Sequence, residues 1–150
     1  MTQRTFNDLK HYQKKLLIEA EKAMDNAYCP YSGFLVGAAL LTNDEEIISA
    51  SNMENAAYGS SICAERAAIL SANAIGRRKF ISIAIISRSK DYTSNEATAP
   101  CGACRQMIHE SSIISETNIE IIFSNTDKTN IVVSSINELL PLAFGPDNLK

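Results

Sequence analysis

Cys63-Ala64-Glu65-Arg66 and Pro100-Cys101-Gly102-Ala103-Cys104-Arg105, with the segment between them, decide how this chain is read. After the first run, Ala67, Ala68, Ile69, Leu70 and Ala74 recur at helical spacing and stop near Gly76. Residues 80–87 then form a β-branched run that suits a central strand. The second run opens another helix, expected over 102–111. Cysteines therefore stand at the starts of two helices, with a buried strand between them.

Working outward, Leu9, Tyr12, Leu16, Leu17, Ala20, Ala23, Met24 and Ala27 describe one face of an amphipathic helix over 6–28, which Pro30 ends. Residues 34–41 and 47–51 read as a hairpin around the polar turn Thr42-Asn43-Asp44-Glu45-Glu46. Ser60 and Ser61 are N-cap candidates that would put Cys63 in the first helical turn. Residues 91–99 are polar and irregular; 119–123 and 131–133 are strands, and 136–140 a short helix before Pro141. The order α-β-β-α-β-α-β-β-α predicts an α/β fold, one five-stranded mixed sheet sandwiched by helices, as a single domain over 1–150.

Composition narrows the function. With 45% hydrophobic and 21% charged residues the 150-residue chain is globular and holds a real core without staples. Net charge is -3 and Arg77-Arg78-Lys79 is the one basic run, which disfavours a nucleic-acid partner. No apolar run approaches a membrane span and the first residues lack a signal pattern, so a cytoplasmic location is expected. The four cysteines then read as thiols, with Cys-x-x-Cys pointing to a metal or redox site.

Cys101 and Cys104, three apart at a helix start, share a face and can bind one ion. Cys63 and Glu65 are separated by about 200° on a regular helix, so both can aim at one site only if Cys63 sits at the helix boundary. Three thiolates around zinc leave a net negative charge, which helix N-termini and Arg66 can balance. A surface salt bridge is the competing expectation for Arg66 and the favoured one for Arg105. Three protein ligands leave the fourth tetrahedral position open for water, as in catalytic zinc sites, with Glu65 beside it to carry protons. Cys29 as fourth ligand would instead close the site into a structural knot.

Cys-x-Glu followed by Pro-Cys-x-x-Cys is the all-cysteine form of the zinc deaminase signature. With Cys29-Pro30-Tyr31-Ser32, Phe34, Val36-Gly37-Ala38-Ala39-Leu40, Asn52-Met53-Glu54-Asn55-Ala56-Ala57-Tyr58 and Leu140-Pro141-Leu142-Ala143-Phe144-Gly145-Pro146, the chain resembles cytidine deaminases of the small homotetrameric class over 27–149. The resemblance implies one Zn2+ per subunit on Cys63, Cys101 and Cys104. Zinc-bound hydroxide would attack C4 of cytidine or deoxycytidine, and Glu65 would shuttle protons as ammonia leaves. It implies a substrate-binding set of Phe34, Asn52, Glu54, Ala56, Tyr58, Ala64 and Phe144. Asn52 and Glu54 would hold the ribose hydroxyls and Phe34 would pack on the nucleoside. Ala56, Tyr58 and Phe144 would approach a neighbouring subunit's site in a homotetramer.

The sequence departs from that pattern at Gly33, Leu35, Ala67 and Ala99, none of them a ligand or the proton carrier; Ala99 is expected to offer only its carbonyl to the substrate amino group. Related aminopyrimidine deaminases, including blasticidin S deaminase, are the nearest alternative. A nucleotide substrate fits less well beside the carboxylate of Glu54.

Overall fold

The computed structural model describes residues 1–92 and 94–150. In chain order the elements are β1 (Thr2–Arg4), α1 (His11–Met24), β2 (Phe34–Thr42), β3 (Ile47–Ser51), α2 (Ala64–Ala74), β4 (Phe80–Ser89), α3 (Gly102–Ser115), β5 (Glu120–Ser124), β6 (Ile131–Ser135) and α4 (Ile136–Leu139). The mixed sheet has six strands in the order β1-β6-β5-β4-β2-β3, not five. The additional strand is polar and exposed, and pairs antiparallel with β6. Only β4 and β5 run parallel, joined by the crossover through α3; the other neighbours are antiparallel.

Strand alternation sorts the apolar side chains onto two faces. Ala38 and Leu40 of β2, Ile83 and Ile85 of β4, and Ile121 and Phe123 of β5 pack under α2, α3 and α4. Leu35, Ala39, Ala84, Ile86 and Ile122 pack against Leu16, Leu17, Ala20 and Met24 of α1. The α1 face is so close that a Cβ at Gly37 would stand 1.9 Å from the Ala20 carbonyl oxygen. Glycine is required there by contact, since only its lack of a side chain lets the helix backbone settle on β2.

Several boundaries differ from the expectations. α1 is shorter than 6–28 because Leu9 is extended and the Gln13 side chain accepts from the Lys10 amide at 2.9 Å, fixing the helix start. At the other end, Tyr28 leaves the helix to bridge Met53. Ser60 and Ser61 do not cap α2. Tyr58–Ser60 forms a 3-10 turn, Ile62 bridges Met53, and Cys63 itself is the N-cap. α3 runs on to Ser115, its late serines bonding back one turn, Ser111 Oγ to the Met107 carbonyl and Ser115 Oγ to that of Ser111. The stretch expected to be irregular over 91–99 is so at its described positions; Thr93 lies outside the described residues.

Candidate active site

The N-terminal ends of α2 and α3 meet on the same side of the sheet. Cys63 and Cys101 are their N-caps, each with extended backbone angles (φ -70, ψ 153 and φ -66, ψ 168) and neither making a side-chain capping bond. This boundary placement removes the geometric obstacle to Cys63 and Glu65 serving one site. The Sγ atoms of Cys63, Cys101 and Cys104 all lie within 4.8 Å of one another, and those of Cys101 and Cys104 are 3.5 Å apart. Thiolates around a tetrahedral zinc with Zn–S of about 2.3 Å would be about 3.8 Å apart, so the donor set fits that ion.

Arg66 donates from Nη2 to the Ser61 carbonyl at 3.0 Å and to Cys63 Sγ at 3.8 Å. Of the two expectations for Arg66, the structure therefore favours thiolate contact. Hydrogen bonding from Cys104, then from Arg66, brings the Cys63 thiol down to about 5. The same bond to Cys63, together with burial, pushes the Cys104 thiol up. Arg105 meets neither expectation. Its Nε donates to the Pro100 carbonyl at 2.8 Å and Nη1 to the Leu139 carbonyl at 3.2 Å, so it ties backbone to backbone.

Glu65 is only 4% exposed, yet it lines a cavity of about 260 Å³ with Phe34, Asn52, Glu54, Cys63, Thr98, Ala99 and Cys101. Burial raises its carboxyl pKa, its own backbone amide opposes that, and Cys63 raises it further. A carboxyl whose protonated form is favoured by burial can hold a proton and give it back to a substrate. A larger open groove of about 720 Å³ lies against α1, α2 and β3, but its lining contains no thiol or carboxylate. The smaller cavity, rather than the larger, carries the chemistry.

Asn52 and Glu54 stand at the cavity rim and already have partners. Asn52 Oδ1 accepts from the Val36 amide at 2.8 Å and its Nδ2 donates to the Phe34 carbonyl at 2.9 Å. This bridge continues the strand pairing past β3; it is not the Asx turn that a lone loop asparagine suggests, and it fixes the backbone beneath Phe34. The Glu54 carboxylate accepts from the Tyr31 and Ser32 amides at 2.9 and 3.2 Å. The Ser32 hydroxyl, followed by these amides, holds its pKa below the usual carboxylate value. Ala64 is fully buried at the first turn of α2 and Ala56, Tyr58 and Phe144 are exposed; none of the four is among the residues lining this cavity.

Cys29 settles the closed-knot alternative. It is 3% exposed within the apolar cluster of α1, β2 and β4, and is not one of the converging sulfurs. A fourth thiolate from Cys29 is therefore not available to the site.

Three sulfurs and a buried carboxylate around a cavity define a zinc hydrolase centre of the deaminase kind. Consistent with this, the family model for the cytidine and deoxycytidylate deaminase zinc-binding region matches residues 10–120, and the chain belongs to that family. It is similar to cytidine deaminase of Halalkalibacterium halodurans, 38% identical over 137 residues that cover 91% of this chain and 97% of that one. The cytidine deaminase of Sporosarcina psychrophila is 39% identical over 136 residues, covering 91% and 93% of the two chains. Among solved structures, cytidine deaminase from Burkholderia pseudomallei superposes with a TM-score of 0.78 at 40% identity, covering 91% of this chain and all of that one. Among the described residues no helix is long and apolar enough to cross a membrane.

Proposed function

We propose that the chain is a zinc-dependent cytidine deaminase that converts cytidine and deoxycytidine to uridine and deoxyuridine with release of ammonia. The observation that carries the proposal is the carboxylate of Glu65, buried beside three converging sulfurs and facing a cavity of about 260 Å³. Cys63, Cys101 and Cys104 would hold one Zn2+. When bound, zinc acidifies water toward neutral pH.

Glu65 takes one proton from the water as its oxygen joins C4 and delivers it to the ring nitrogen; it then takes the second proton from the new C4 hydroxyl and hands it to the amine, so that the C–N bond breaks, the C4 carbonyl forms and ammonia leaves. Its raised pKa suits both directions of transfer. Arg66 offsets the charge of the thiolates from the Ser61 side. Ala99 at the cavity wall offers a carbonyl to the amino group, and Phe34 packs on the nucleoside.

Asn52 retains a second amide hydrogen and Glu54 further acceptor capacity, which suits them to ribose hydroxyls after their structural bonds are counted. Ala56, Tyr58 and Phe144 then serve the site of a neighbouring subunit in a homotetramer. Their exposure in the single chain supports this assignment. We read residues 1–150 as one domain, since two apolar clusters share one sheet, and we assign the protein to the cytoplasm as the resemblance to cytidine deaminases suggests.

An ultraviolet assay tests the proposal. Zinc-loaded protein should turn over cytidine and deoxycytidine, and Glu65→Gln should keep its zinc while losing roughly 10²–10⁴ in kcat. Absence of turnover of either nucleoside by the zinc-loaded chain would overturn it.

A further inference from the structure

The C-terminal tail is held on α3 by its backbone. Arg105, directly after Cys104, grips the Pro100 and Leu139 carbonyls at 2.8 and 3.2 Å. Gln106 donates from Nε2 to the Phe144 carbonyl at 2.8 Å. One turn further, His109 closes on Gly145, where an added Cβ would stand 3.3 Å from Nε2. Because carbonyls do the docking, the side chains of Leu142 and Phe144 remain 97% and 57% exposed.

The Pro100 carbonyl belongs to the peptide whose nitrogen is that of Cys101, so holding it also holds the extended N-cap conformation of this cysteine. The guanidinium spans two acceptors as a rigid fork, which a lysine ammonium on a flexible stem does not reproduce. We infer that Arg105 and Gln106 are positioning residues that join the Cys101–Cys104 turn and the C-terminal tail into one cooperative unit, so that metal binding and tail docking reinforce each other. Such coupling is reciprocal: whatever loosens the tail must also weaken the metal. The inference rests on the metal centre of the proposed function and not on its substrate.

The test follows zinc release from the loaded full-length chain to a chromogenic chelator, together with amide hydrogen exchange over residues 140–150. Arg105→Ala and Arg105→Lys should both release zinc roughly 10- to 100-fold faster, the affinity loss that follows removal of a ligand's supporting partner falling on the release step. Gln106→Ala, a mild change at the helix surface, should raise tail exchange about 2- to 10-fold and also speed zinc release. The inference is overturned if Arg105→Lys matches the wild type, since charge and not the fork would then matter. It is equally overturned if Gln106→Ala loosens the tail while zinc release is unchanged. Nucleoside turnover by the wild type, measured in parallel, separates failure of the substrate assignment from failure of this coupling.

Discussion

The two faces of the sheet hold cysteine to opposite ends. On the α1 face Cys29 lies among Leu16, Leu35 and Ala39 and behaves as a small apolar residue. On the other face Cys63 and Cys101 occupy helix N-cap positions and Cys104 sits one turn into α3; there hydrogen bonds from Cys104 and Arg66 favour the thiolate of Cys63, while the bond to Cys63 and burial push the Cys104 thiol up. The contrast teaches that the proposed metal centre is made by placement at the starts of two helices; a thiol a few residues from Phe34 contributes nothing to it when it packs on the opposite face of the sheet.

The strongest test of that contrast exchanges the two kinds of cysteine. Cys104→Ala should lose stoichiometric zinc, measured by elemental analysis, and with it all nucleoside turnover, whereas Cys29→Ala should keep both at a stability cost of about 1 kcal/mol. Next in size is Gly37→Ala. With a carbonyl oxygen 1.9 Å from the new Cβ, denaturant melts should show a loss of about 3 kcal/mol, because α1 must lift from β2.

The smallest expected effect is at the sheet edge farthest in strand order from the β2–β3 hairpin, where Glu138 accepts from the N-terminal amine, Ser134 and Ser135. The amine, then Ser134, lowers its pKa from 4.5. A depressed carboxylate stabilises the fold above the unfolded value, and that contribution disappears as pH falls through the lower folded value. Thermal midpoints measured from pH 7 to 3 should therefore fall more steeply for wild type than for Glu138→Gln.

Much of this was legible in the chain, for identifiable reasons. The buried run of β4 and the hairpin of β2 and β3 announce themselves through apolar patterning. The Cys-x-Glu and Pro-Cys-x-x-Cys spacings carry chemistry that few other arrangements explain. β1 was not legible because Thr2-Gln3-Arg4 buries nothing and pairs through backbone alone. The cap of α2 was misplaced because Ser60 and Ser61 satisfy the usual preference, while tertiary convergence gives that position to Cys63. Asn52 and Arg105 show a further limit: their partners are main-chain atoms of other segments, and no local pattern encodes a carbonyl 34 positions away such as that of Leu139.

The capless starts of α2 and α3 have an evolutionary corollary. Serine at 63 or 101 could accept from a first-turn amide, a capping bond that the cysteine side chains do not make, adding about 1 kcal/mol to each helix. Mutation followed by selection for heat resistance alone would thus drift toward hydroxyls at these two places and erase the reactive centre. Only a continuing demand for the reaction keeps sulfur where a sturdier helix would have oxygen.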